Sequence, residues 1–306
     1  MSMPSLGRHL VRLAWLALSV ACVACGKREA PSHASATSAS AAAGPAPAPA
    51  PSAPPHVEQT KAGCRALVVT GVATIDGSPL APSAVLDGER WVELAAGSSV
   101  ALRHTQTSRE FRLIGPGHAL PCRNGSEQIL LADGQLSTSA NLGVRPGAEV
   151  LIATPDGFVR YGDAALDLEF GSKGLRVRVK QGEAWVEPEA RGKPRFKNPV
   201  RSGADAWLMR SPAKPQALCD ACESAAQAAE ASARRVLDGE GAGGGDSLGA
   251  RAAAHMRERA KARTACAVAA AATFSERDPA TRQRLSASVA HADALWQSVP
   301  RARARE

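Results

Sequence analysis

Between Ala66 and Leu208 the chain repeats one local pattern that allows few folds. The segments are Val92-Glu93-Leu94-Ala95-Ala96-Gly97, Ile129-Leu130-Leu131-Ala132-Asp133-Gly134 and Val177-Arg178-Val179-Lys180-Gln181-Gly182. In each, an apolar β-former stands five and three residues before the glycine. Side chains two apart on an extended chain share a face. The pattern therefore predicts strands with one buried face, each ending in a turn that needs a permissive backbone. Further strands are expected at Leu67–Ile75, Ser99–His104, Glu110–Ile114, Glu149–Ala153, Phe158–Tyr161, Ala165–Phe170, Ala184–Glu187 and Ala206–Met209. Turns are expected at Asp76-Gly77, Asp87-Gly88, Gly115-Pro116-Gly117, Asp133-Gly134, Pro146-Gly147 and Asp156-Gly157. Many short strands at this spacing mean an all-β sandwich, roll or short solenoid. No helical stretch separates them, which argues against a doubly wound nucleotide-binding sheet.

After Pro212 and Pro215 the pattern changes. Ala217–Leu237 and Leu248–Phe274 are rich in alanine and other helix formers, and Gly241–Gly245 separates them. Asp278-Pro279 opens a third helix with a capping residue and a proline at its first position. Leu285, Val289, Ala292 and Trp296 form one stripe on it. The fold class is therefore α+β and multidomain. An all-β domain at 57–215 precedes a helical hairpin or three-helix bundle at 216–306. Alanine faces bury little area, so this bundle needs reinforcement.

Cysteines can supply it. A turn at Gly243–Gly244 sets Cys266 opposite either Cys219 or Cys222, and a disulfide from one of them to Cys266 is expected. A second bridge is expected between Cys64 and Cys122. Cys219-Asp220-Ala221-Cys222 also reads as C-x-x-C, which makes a thiol oxidoreductase an alternative function. The βαβ setting of a thioredoxin-like site is missing. A zinc site would find only Cys266 and His255 as further ligands. No metal or cofactor is expected.

The first 24 residues read as a signal peptide: Arg8 and Arg12 flank the start of an apolar run from Leu13 to Ala24. The small residues before Cys25 resemble the lipobox of bacterial lipoproteins, which implies lipidation at Cys25, with Cys22 as the alternative. Gly26, rather than Asp, follows Cys25, and this resembles an outer-membrane sorting signal. Residues 25–56 are then an anchored, disordered linker dominated by Ala, Pro and Ser. The address is the bacterial envelope, facing the periplasm, with the membrane held through the N-terminal lipid.

Several strand motifs together carry a further resemblance. They are Phe111-Arg112-Leu113-Ile114-Gly115-Pro116-Gly117, then Ile152-Ala153-Thr154-Pro155-Asp156-Gly157-Phe158-Val159, then Val177-Arg178-Val179-Lys180-Gln181-Gly182-Glu183-Ala184-Trp185-Val186. Residues 66–190 resemble the periplasmic FecR-type domain, in which the Thr-Pro strand pair is followed by a hairpin at the last of these motifs. The resemblance implies a β module for protein contacts. In its best-known role that family relays an iron-siderophore signal to a cytoplasmic sigma factor. A signalling accessory in such trans-envelope regulation is thus a second alternative.

The net charge of +8 is spread along the chain: 4 basic and 1 acidic residues over 1–56, 20 and 17 over 57–215, and 13 and 11 over 216–306. No region has the concentrated positive field of a nucleic-acid binder. Two local basic ridges do stand out. Arg176, Arg178 and Lys180 alternate, as do Arg191, Lys193, Arg195 and Lys197, with Glu183, Glu187 and Glu189 nearby to balance them. They suit an envelope protein or an anionic envelope component. His104 and His118 have no nucleophile or carboxylate at an interpretable spacing. Elbow, phosphate-loop and zinc-protease motifs are absent from the sequence. The reading is a non-catalytic envelope lipoprotein whose β domain is an interaction or scaffold module.

Overall fold

The computed structural model describes residues 62–140, 149–188, 199–210, 214–237 and 248–298. All of them fall in one compact unit, Val57–Glu306. Its first half carries β1 (Cys64–Thr70), β2 (Ala73–Ile75), β3 (Ser78–Pro79), β4 (Val85–Leu86), β5 (Val92–Leu94), β6 (Ser99–His104), β7 (Glu110–Leu120) and β8 (Gln128–Thr138). Then come β9 (Val150–Thr154), β10 (Gly157–Tyr161), β11 (Ala165–Gly171), β12 (Gly174–Gln181), β13 (Glu183–Pro188), β14 (Val200–Arg201) and β15 (Asp205–Met209). Three helices close the chain: α1 (Pro215–Leu237), α2 (Leu248–Phe274) and α3 (Pro279–Ser298).

The strands form one large sheet. Its main path runs β14-β13-β10-β9-β8-β7-β5-β2-β3. The row β6-β1-β4 branches from β7, and the row β11-β12-β15 branches from β8. Among the described residues β8 and β9 pair in parallel and every other neighbouring pair is antiparallel. The three glycine-ended segments bury the side chains their spacing selects: Val92 and Leu94, Ile129 and Leu131, Val177 and Val179.

Three local expectations are corrected. Leu67–Ile75 is two strands, because the chain turns at Gly71 and Val72 N–H donates to Ser98 Oγ at 2.8 Å. Gly115-Pro116-Gly117 and Asp133-Gly134 are not turns between strands. They lie inside β7 and β8, where the register jumps from Ile114↔Gln135 to His118↔Asp133, three residues against one. A Cβ on Gly134 would stand 2.9 Å from the Gly117 Cα, so glycine here permits two backbones to touch. Finally, β12 and β13 do not form the hairpin that the FecR resemblance implies. The chain changes partners at Gly182: β12 bonds to β11 and β15, while β13 bonds to β10 and β14.

The helices follow the sequence closely. Asp278 caps α3, with Thr281 N–H donating to its Oδ2 at 2.9 Å, and Leu285, Val289, Ala292 and Trp296 are buried. Besides the Cys222–Cys266 disulfide, the alanine-rich bundle is reinforced from an unexpected side. Leu120, Leu130, Leu151, Ala153 and Phe158 leave the sheet's outer face and share one apolar core with α1, α2 and α3. Strand β9 is buried on both faces: Val150 and Ile152 enter the sheet core, Leu151 and Ala153 the helical one. Trp91 stacks on Phe274 at the end of α2, ring centroids 4.2 Å apart. Arg123, in the turn after β7, forms a buried ion pair with Asp293 of α3, and Trp296 Nε1–H donates to Asp293 Oδ1 at 2.9 Å.

Candidate functional site

The described half of the basic pattern lies on β12. Arg176, Arg178 and Lys180 project from its outer face while Leu175, Val177 and Val179 fill the core. The antiparallel register then decides what answers their charge. Arg176 reaches Asp205 Oδ2 through Nη2 at 2.7 Å, and Arg178 reaches Asp205 Oδ1 through Nε at 3.1 Å. Lys180 Nζ lies 2.7 Å from Asp167 Oδ1, which also accepts from Ser137 Oγ–H at 2.8 Å. The partners are therefore on β15 and β11 rather than the nearby glutamates. Glu187 pairs with Arg160, and Glu183 stands opposite Arg201 in the β13–β14 register. Cross-strand proximity outweighs sequence proximity here.

Hydrogen bonds from Arg178 first, then Arg176, hold the Asp205 carboxyl below the usual carboxylate range. Burial pushes the Asp167 carboxyl up, but the bonds from Lys180 and Ser137 outweigh it and hold that group low as well. Arg176, Arg178, Lys180, Asp167, Ser137 and Arg112 border a groove of about 370 Å³. The Arg176 guanidinium lies over the ring of Trp207 on β15, 5.2 Å from its centroid. Trp207 and Met209 are exposed beside it. The face is thus a row of paired charges with one aromatic ring beside it, able to exchange its internal ion pairs for those of a charged partner. Arg191, Lys193, Arg195 and Lys197 lie outside the described residues, as do Glu189, Cys22 and Cys25.

Among the described residues the cysteines resolve into two bridges and one thiol. Cys64 bonds to Cys122, and Cys222 rather than Cys219 bonds to Cys266, with Cα atoms 4.5 Å apart. Cys219 lies buried, its Sγ–H directed at the Leu285 carbonyl oxygen, 3.9 Å away. Burial first, and the Asp220 charge second, push this thiol up to about 11. A reactive dithiol needs the opposite, a lowered and accessible thiolate. His255 does not join the cysteines. Its Nδ1 meets Ser232 Oγ at 2.9 Å between α1 and α2, eleven helical residues or about 16 Å from Cys266. Among the described residues no cluster of three metal-ligating side chains occurs.

Two histidine environments were invisible in the sequence. His118 Nδ1 lies 2.8 Å from Asp133 Oδ1 across the β7–β8 irregularity, and its ring packs 5.0 Å from Phe274. His104 is buried, with Nδ1 3.0 Å from Thr107 Oγ1, beside a buried pair in which Arg109 Nε is 3.1 Å from Glu127 Oε1. Asp133 is brought up by the β7–β8 pairing and Glu127 by the turn before β8, and no spacing rule along one strand could reveal either. No family model matches this chain, and no curated protein matches it either.

Proposed function

We propose that this chain is a non-catalytic, lipid-anchored protein of the bacterial cell envelope, facing the periplasm, whose FecR-like sheet serves as an interaction or scaffold module. The observation that carries the reading is the outer face of β11, β12 and β15. There, Arg176, Arg178, Lys180 and Asp167 line an open groove, and the Arg176 guanidinium lies over the exposed ring of Trp207 beside it. Exposed aromatics with flanking arginines are the composition of recognition surfaces. The two disulfides suit a protein matured in an oxidising compartment. The buried thiol of Cys219 favours this reading over a C-x-x-C oxidoreductase.

The anchoring part is tested by metabolic labelling with a palmitate analogue, followed by membrane fractionation. Label on the wild type, its loss in Cys25→Ser, and co-fractionation with the outer membrane are expected. Equal labelling of both proteins, or recovery in the cytosol, overturns the placement. The interaction part is tested by crosslinking in intact cells. Recovery of the chain as an uncrosslinked monomer only would reject a module for contacts.

A further inference from the structure

We infer that the free edge of β15 is the docking site, and that its occupant is an extended, acidic segment of another protein added to the sheet as one more strand. The inference rests on the proposed interaction role and goes beyond it in naming the edge and the chemistry of the partner. Among the described residues β15 bonds to β12 alone. Val179 N–H donates to the Ala204 carbonyl at 3.0 Å. Hydrogen bonds alternate along an antiparallel ladder, so Ala206 and Leu208 face β12 with their backbone groups. The N–H and C=O groups of Asp205, Trp207 and Met209 then point away from it. That is one strand's worth of donors and acceptors open for pairing.

Natural edges are blunted by lysine, proline or bulges within the strand. β15 has neither lysine nor proline, and its outward side chains include Trp207 at 43% and Met209 at 67% exposure. Those two residues are adjacent apolar positions on one face, as a strand-addition site requires.

Charge selects the occupant. The two outermost strands with their flanks, residues 173–180 and 200–210, carry Lys173, Arg176, Arg178, Lys180, Arg201 and Arg210 against Asp205, and Asp167 of β11 pairs with Lys180, which leaves a basic excess of four. A second copy of this chain on the same edge would set one basic excess against another, and like charges oppose that pairing. An acidic segment meets complementary charge instead. Its alternate side chains would lie beside Trp207 and Met209, favouring an apolar residue there, with carboxylates at the ends reaching the exposed Arg201 and Arg210.

The experiment places the photocrosslinker p-benzoylphenylalanine at Trp207 in the full chain, with the exposed Val72 as control position, in cells that produce the protein. Adducts are mapped by mass spectrometry. The expected result is an adduct at 207 on a partner stretch with apolar residues at alternate positions and carboxylates at its ends. That adduct falls at least five-fold in Met209→Pro, which removes an outward N–H and no bond to β12. It falls comparably in Arg201→Gln/Arg210→Gln, which removes both charges without setting a carboxylate opposite Glu183. Unchanged thermal unfolding of both variants keeps the reading on binding. Adducts that persist in both variants, or that map to a second copy, a lipid or a polysaccharide, overturn the inference. Adducts at 72 with none at 207 reject this edge while leaving an interaction role, and none at either position rejects both.

Discussion

Replacing Asp293 by leucine would test how the helices are held to the sheet. The carboxylate pairs with Arg123 and accepts from Trp296 Nε1–H, and all three groups are nearly out of solvent. Burial drives the Arg123 guanidinium down and the Asp293 carboxyl up, in each case overriding the attraction between them. Desolvation therefore exceeds what the pair returns. Asp293→Leu leaves a buried cation and an orphan indole N–H, at a cost of about 3–5 kcal/mol. For a unit of this size that lowers Tm by about 6–20 °C. Arg123→Met/Asp293→Leu removes both charges and should recover most of the loss, ending near or above the wild type. Thermal unfolding followed by circular dichroism completes the cycle. A double variant no more stable than Asp293→Leu would refute the reasoning, since it would mean that the ion pair itself is the main stabilising contact. The same carboxyl has a pH signature. Its folded value lies above its unfolded value, so the folded state binds the extra proton and this group's contribution falls as pH rises through that window. Asp293→Asn should remove that slope.

Other outcomes follow from the same geometry. Cys222→Ser/Cys266→Ser opens a 44-residue loop and should cost about 4 kcal/mol by loop closure, read as a lower denaturant midpoint. Iodoacetamide at pH 8, with peptide mapping, should leave Cys219 unmodified in the folded chain and modify it fully in denaturant, because the thiol is buried with a raised pKa. Asp205 should titrate below the ordinary carboxylate range by NMR and move upward in Arg178→Gln. Its folded value is depressed, so its contribution to stability is present above the unfolded pKa and lost as pH falls through the folded one. Phe158→Ala should cost about 3–5 kcal/mol, because the ring bridges the sheet to the helical core.

What could be read beforehand was whatever depends on neighbours along the chain. Strand faces followed from Val92/Leu94 and Val177/Val179, and α2 and α3 began where composition and Asp278-Pro279 placed them. Relations across the sheet escaped. Asp205 reaches Arg176 and Arg178 from about 28 residues away, and Asp133 reaches His118 across an irregular register. The glycines at 115, 117 and 134 look like turn residues in a sequence, since a backbone contact and a turn both demand the smallest residue. One missed signal was present. Ile129-Leu130-Leu131 and Val150-Leu151-Ile152-Ala153 are unbroken apolar runs, the mark of strands covered on both sides. Reading them only with period two hid the helices' seat on the sheet.

The double coverage of β9 bears on how the chain matures. Leu120, Leu130, Leu151 and Phe158 precede every helix that shelters them. A chain emerging from its N-terminal side must carry this greasy plateau uncovered until the final third arrives. Premature truncation after residue 210 would therefore yield a sticky, aggregation-prone torso rather than a shorter working protein.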